Sequence, residues 1–187
     1  MSTTPEVMER IAEASPRFKA RIAGVFYLLT FVTGVIAMVS ARGSLAANLL
    51  ATACYVAVTL LFYDIFKPVN RNISLLAAFF GLVGCAFGAL DSFHLAPFNI
   101  NPLVFFGVYC LLIGYLIWRS TFLPRILGVL MAFGGLGWLT FLSPALAHSP
   151  SPYNAGPGML GEGALTLWLL VKGVNEQRWK EQAGADN

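Results

Sequence analysis

Six apolar blocks follow one another along the chain, separated by short polar or proline-containing segments. They run approximately over residues Ile22–Val39, Leu45–Phe66, Ile73–Leu95, Pro102–Trp118, Phe122–Leu142 and Gly156–Val171. About twenty helical residues cross the roughly 30 Å hydrocarbon core of a bilayer, because each residue advances the helix by about 1.5 Å. An isolated strand would leave its backbone groups unpaired in lipid. The pattern therefore predicts an all-α membrane protein with six transmembrane helices.

The basic residues give these helices an orientation. If the six spans are correct, one cation, Arg42, lies on the outer side. The other eleven lie on the inner side: Arg10, Arg17, Lys19, Arg21, Lys67, Arg71, Arg119, Arg125, Lys172, Arg178 and Lys180. The positive-inside rule then places both termini in the cytoplasm. The predicted organisation is a cytoplasmic segment over residues 1–20, a transmembrane domain over 21–173 and a cytoplasmic tail over 174–187.

The composition agrees with lipid as the solvent. Hydrophobic residues make up 57% of the chain and charged residues 11%, whereas a soluble domain has about 25% charged residues. The net charge of +3 does not indicate nucleic-acid binding, because the cations lie at helix ends. Each of the three cysteines, Cys54, Cys85 and Cys110, lies inside an apolar block without a CxxC pattern, which favours a role as small hydrophobic residues.

Short sequence similarities predict an internal repeat. Arg21–Val25 resembles Arg125–Val129, and Ala78–Leu82 resembles Ala132–Leu136. Three related helical hairpins, formed by helices one and two, three and four, and five and six, would explain these matches. Chance similarity between membrane segments explains them equally well, so both interpretations stay open.

Several local features predict helix ends and contacts. Gly84 and Gly88 have the GxxxG spacing that is typical of close helix packing in membranes. Ser120 and Thr121 are predicted to cap the fifth helix. One turn separates Asp64 from Lys67, which favours a local ion pair at the inner end of the second helix.

Glu162 is the strongest candidate for a functional residue. It lies ten residues before Lys172, so helical rise places it about 15 Å from the inner boundary, near mid-bilayer. A carboxylate at that depth costs roughly 3 kcal/mol or more unless it is paired, hydrated or protonated. Two interpretations have equal weight: a ligand, proton or ion site, or a neutral glutamic acid that is hydrogen-bonded to a neighbouring helix.

Further polar residues are predicted at the outer end of the bundle. Asp91 and His94 have the spacing that places both on one helix face. Arg42 is expected to pair with Asp91 or Glu162, because an outer cation defies the charge rule. Together, Glu162, Asp91, His94 and Arg42 are the candidate ligand-binding residues of an outward-facing polar pocket.

The sequence predicts neither a metal nor another cofactor. His94, His148 and Asp91 are weak metal-ligand candidates. A tight ligand motif such as HExxH is absent from the sequence, as are a GxSxG nucleophile motif, a P-loop and a dinucleotide-binding glycine fingerprint.

Several segments carry a family resemblance that covers nearly the whole chain: Ala20–Gly34, Lys67–Arg71, Leu75–Gly81, Phe106–Gly128 and Gly161–Gly173. In these segments the chain resembles the bacterial membrane-protein family of domain of unknown function 4386. The resemblance implies a multi-pass protein of the bacterial cytoplasmic membrane. It implies no reaction, because that family has no assigned activity.

Three classes of function follow, in order of preference. The first is binding or transport of a small molecule or lipid through the outer polar pocket. The second is an intramembrane enzyme that uses Glu162 as general acid/base with assistance from His94. The third is an accessory or sensor protein without catalysis. Membrane lipid and a small ligand are the expected partners, and nucleic acid is not one of them.

Overall fold

In the computed structural model, residues 15–39, 44–95, 100–143, 145–146 and 153–185 are described, and this part of the chain contains helices and no strand. Six of the helices match the apolar blocks, and a further helix follows them. The α-helices are α1 (Pro16–Val39), α2 (Ser44–Phe66), α3 (Arg71–Ser92), α4 (Leu103–Arg119), α5 (Arg125–Leu139), α6 (Gly156–Val171) and α7 (Glu176–Ala185). Short 3₁₀ turns cover Thr140–Leu142 and Tyr153–Ala155.

The helices have the length, composition and surface of membrane spans. Among the described residues, four stretches are long and apolar enough to cross a bilayer, namely Pro16–Ala37, Leu45–Phe66, Arg71–Ser92 and Arg125–Leu142. Helix α4 is apolar but shorter. Large apolar side chains are exposed along the outside of the bundle, among them Leu28, Val32, Leu75, Phe79, Ile126, Phe133, Leu136, Leu160 and Leu167. Such a surface would associate in water, and it therefore indicates a multi-pass membrane protein.

The six apolar helices form a closed ring. Each of them packs against the next helix in the sequence, and α6 also packs against α1. The interior is filled by aromatic and aliphatic side chains that are almost fully buried, including Tyr27, Phe62, Phe66, Tyr109, Ile113, Leu116, Met131 and Leu165. The three-hairpin repeat stays a prediction, because the order of helices around a ring does not require that the hairpins share an origin.

Glycines bring the backbones of α4 and α5 into contact. A Cβ atom at Gly114 would lie 2.7 Å from the carbonyl oxygen of Gly128, and one at Gly128 would lie 2.6 Å from that of Gly114. Two turns further along the interface, a Cβ atom at Gly135 would lie 2.7 Å from the oxygen of Gly107. The small residues gain dispersion contacts that larger side chains would prevent. By contrast, a Cβ atom at Gly88, in the predicted GxxxG pair, would meet nothing within 4 Å.

Helix α3 ends three residues before the predicted boundary. It begins at an Asn70 cap, whose side chain accepts a hydrogen bond from the backbone N–H of Ile73. At the other end, His94 adopts a φ of 57°, and the N–H of Leu95 donates to the carbonyl of Leu90 at 2.9 Å. This left-handed C-terminal cap normally favours glycine. His94 therefore lies beyond the helix, in its cap.

Charged residues connect helices at the end of the ring where α1 begins. Asp64 accepts a hydrogen bond from Lys67, which confirms the predicted local pair, and another from Lys19 of α1. The Lys19 side chain is 13% exposed. The partly buried pair joins α1 to α2, a contact that local spacing did not indicate.

Helix α7 packs across that same end. The indole N–H of Trp179 donates to the carbonyl of Ile65 at 2.8 Å, and the Gln182 side chain accepts from the N–H of Thr121 at 3.0 Å. The predicted capping role of Ser120 and Thr121 is wrong, because Pro124 occupies the α5 cap position. The Ser120 hydroxyl instead donates to the carbonyl of Ile117. The predicted tail thus contains a docked helix.

We expect Gly114→Ala to lower the free energy of unfolding by at least about 1 kcal/mol, because the added methyl group would separate two packed backbones. Gly88→Ala is the matched control. It should be neutral, or stabilising by up to about 1 kcal/mol, because alanine favours the helix and the site is open. Detergent titration followed by circular dichroism measures both. Equal effects of the two substitutions would contradict the glycine-mediated contact.

Candidate functional site

Glu162 lies in the interior of the ring, on α6, with 5% of its surface exposed. Two glycines on the same part of the helix make this position possible. A Cβ atom at Gly161 would collide with the carbonyl oxygen of Leu130, and one at Gly158 would collide with the ring of Trp138. Helix α6 therefore lies close against α5, and the indole of Trp138 comes within reach of the Glu162 carboxyl group.

Four side chains from four other helices surround this carboxyl group. The Tyr27 hydroxyl donates to Oε2 at 2.7 Å, and the Tyr55 hydroxyl makes a longer contact of 3.4 Å with the same oxygen. The indole N–H of Trp138 donates to Oε1, and the Cys110 thiol lies 3.6 Å from that oxygen. We call these five residues the Glu162 cluster. It links α6 to α1, α2, α4 and α5.

All four partners of Glu162 are neutral donors. Among the described residues, the ion pairs involve Asp64 or Glu176 as the acid, and none involves Glu162. An ionised carboxylate accepts hydrogen bonds only, so a cage of O–H, N–H and S–H donors suits it chemically. These four donors carry no positive charge, so an ionised Glu162 would have no compensating cation among the described residues.

Aromatic rings form most of the wall around the cluster. The ring of Tyr27 lies edge-on to that of Tyr55 at 5.5 Å between centroids, and Phe106 lies 4.6 Å from Tyr55. Towards the end that α7 covers, Phe62 follows at 5.9 Å from Tyr27. These rings exclude water, and this strengthens every electrostatic interaction of the carboxyl group.

Tyr109 is an unsatisfied neighbour of the cluster. Its side chain is 0% exposed, and its ring centroid lies 5.7 Å from that of Tyr55. Its hydroxyl group has no hydrogen-bond partner in the part of the chain that the structure describes. An unpaired buried hydroxyl costs roughly 1–3 kcal/mol. A polar group that the described side chains do not use therefore lies beside the cluster.

Two of the other sequence candidates form no described hydrogen bond with Glu162. Asp91 and His94 are both exposed at the end of α3, and the described hydrogen bonds of Glu162 go to the cluster instead. Arg42 and His148 lie outside the described residues. The predicted outer pocket therefore stays a prediction. The described residues contain no group of three or more potential metal ligands.

The sequence indicated Glu162 as an acid within the membrane but did not indicate its partners. Tyr27, Tyr55 and Trp138 each carry one hydrogen-bonding group on a mainly apolar ring within an apolar block, and this is the signal that the sequence offers. Cys110 is a small buried residue, as predicted, but its thiol also contacts the Glu162 carboxyl group. Aromatic residues are common in membrane spans, so the signal could not be distinguished from ordinary packing.

The fold and the buried carboxyl cluster define a polytopic helical membrane protein with a polar centre. The family described as "Domain of unknown function (DUF4386)" matches residues 40–101 and 89–173. The chain belongs to this family, in agreement with the resemblance noted in its sequence. A protein of Archaeoglobus fulgidus, named "Uncharacterized protein", is 32% identical over 125 residues, which cover 63% of this chain and 76% of that protein. No solved structure matches the chain.

Removal of the Tyr27 hydroxyl group should destabilise the protein, whereas removal of the Tyr109 hydroxyl group should not. Tyr27→Phe is expected to lower the free energy of unfolding by about 1–3 kcal/mol, because a buried carboxyl group loses a donor. Tyr109→Phe should leave stability unchanged or raise it, because its hydroxyl has no described partner. Detergent titration of the ligand-free proteins measures the difference. A larger loss in Tyr109→Phe than in Tyr27→Phe would contradict the described hydrogen bonds.

Proposed function

We propose that the chain crosses the bacterial cytoplasmic membrane six times, with both termini in the cytoplasm. The segregation of eleven of its twelve cations supports this topology. Helices α4 and α6 are short, but both are members of the closed ring. The docking of α7 at the end of the ring where α1 begins agrees with termini on one side.

Reporter fusions test this topology. Alkaline phosphatase fused after residue 148 should be active, and the same enzyme fused after residue 70, 121 or 187 should be inactive. A fluorescent reporter that folds only in the cytoplasm should give the reverse pattern. Phosphatase activity after residue 187 would refute the six-span arrangement.

Within this topology, we propose that the protein binds a small molecule at the Glu162 cluster. The observation that carries the proposal is a nearly buried carboxyl group without a described cationic partner. Intramembrane acids of this kind are expensive to maintain and commonly mark ligand or ion sites. The unpaired hydroxyl of Tyr109 supports the same interpretation.

Access from the outer side agrees with the packing. Between the cluster and α7, the interior contains Phe62 and Phe66, whose centroids are 5.7 Å apart, and Phe122, which lies 5.9 Å from Phe66. Trp179 of α7 packs against this core. The ligand would therefore approach from the opposite end, where Asp91 and His94 would line its path. Transport of the ligand across the membrane would require these aromatic side chains to move apart.

An accessory role is the second candidate. Both carboxyl oxygens of Glu162 already accept hydrogen bonds, so the cluster could serve only to hold five helices together. An intramembrane enzyme has less support. His94, its proposed assistant, is exposed beyond the end of α3, and the described partners of Glu162 do not include it.

Retention of a native ligand distinguishes binding from an accessory role. We expect the protein, purified in lipid nanodiscs, to retain a small molecule that mass spectrometry detects after organic extraction. Glu162→Gln should reduce the retained amount at least about tenfold, because the amide cannot replace a charged acceptor. Glu181→Gln, on the exposed face of α7, is the control and should retain the wild-type amount. Equal amounts of extracted small molecule from the unaltered protein and from both variants would favour the accessory role.

A further inference from the structure

The chemistry of the Glu162 cluster restricts the ligands that it can bind. Its centre is an acceptor, the partners of that acceptor are neutral, and the surrounding wall is aromatic. An anionic ligand would bring a second negative charge into a site of low dielectric constant, where like charges repel strongly. A neutral donor would gain little, because it would replace an existing neutral donor.

A cation gains from each of these features. It compensates the carboxylate, and charge-assisted hydrogen bonds are roughly twice as strong as neutral ones. Aromatic rings also attract cations through their negative faces, more strongly where water is excluded. The hydroxyl oxygen of Tyr109 offers a further acceptor in the same group of rings, since the described side chains leave it unpaired.

Trp138 is the least buried residue of the Glu162 cluster. Tyr27 and Cys110 are 0% exposed and Tyr55 is 6% exposed, whereas Trp138 is partly buried. Its indole lies over Gly158, where a Cβ atom would collide with the ring. The indole N–H occupies the position on Oε1 that a ligand donor would need.

We propose that the Glu162 cluster binds an organic cation whose ammonium group replaces the Trp138 indole N–H on Oε1. This inference rests on the proposed binding function and names the chemical class of its ligand. Glu162 supplies the charge, the rings of Tyr27, Tyr55 and Phe106 supply the aromatic wall, and Trp138 moves aside. No covalent bond is made or broken in this step.

Three probes of similar size and shape, but of different charge, test whether the charge of the ligand determines its binding. They are 2-phenylethylammonium, 2-phenylethanol and 3-phenylpropanoate, each added to the full chain in phosphatidylcholine nanodiscs. A neutral lipid prevents cations from accumulating at the membrane surface. Binding is measured as the ligand-dependent rise in unfolding temperature. We expect the ammonium probe to bind at least about tenfold more tightly than the alcohol, which corresponds to one charge-assisted contact, and the carboxylate to bind most weakly.

Variants then assign the effect to the cluster. Glu162→Gln should weaken ammonium binding at least about tenfold, and Glu181→Gln should not change it. Trp138→Phe should tighten ammonium binding, because the competing donor is gone. Tyr109→Phe should weaken it, because the ligand loses an acceptor. The comparison of the three probes on the unaltered protein is decisive even if Glu162→Gln fails to fold.

Two results would overturn the inference in distinguishable ways. If the alcohol binds as tightly as the ammonium probe and Glu162→Gln abolishes both, the site binds ligands but does not select a cation. If none of the probes stabilises the protein, cation binding is refuted. The retention experiment would then still decide whether the cluster holds a native ligand of another class.

Discussion

The arrangement of the interior depends on the cost of burying one carboxyl group. Lipid offers no water to Glu162, so the protein itself must supply its hydrogen-bond donors. These donors come from α1, α2, α4 and α5, and each must reach the same small volume. The requirement fixes the rotation of four helices relative to α6. Apolar packing alone would define these rotations less strictly, because dispersion forces have little directionality.

Glycines and the buried acid depend on each other. Gly158 and Gly161 let α6 approach α5 closely enough for Trp138 to donate to Glu162. The glycine pairs between α4 and α5 similarly bring these two helices together. Close backbone contact adds short-range dispersion energy. It also shortens the distance that a polar side chain must span to reach its partner on the next helix. The two kinds of interaction therefore stabilise the same arrangement, in which small residues position a polar centre.

The apolar pattern predicted the helices well because lipid requires long apolar segments. The blocks matched α1 to α6 with differences of a few residues at most ends. The largest difference arose at α1, where helix continues into polar sequence. Helix α3 ends earlier than predicted, at the His94 cap, and α5 is shorter than predicted at both ends. The partners of Glu162 could not be predicted in this way. Tyr27 and Glu162 are 135 residues apart, and their contact depends on the closure of the ring rather than on local spacing.

That closure has a mechanical consequence. Five of the six helix contacts around the ring join consecutive helices, whereas α1 and α6 have no short connecting segment and meet only through non-covalent contacts. At this seam, a Cβ atom at Gly24 would lie 3.0 Å from the backbone nitrogen of Leu170, and the hydrogen bond from Tyr27 to Glu162 crosses the same boundary. Separation of α1 from α6 would expose the Glu162 carboxyl group to the surrounding lipid without stretching a loop. The first polar interaction to break would be the one between the phenol and the acid.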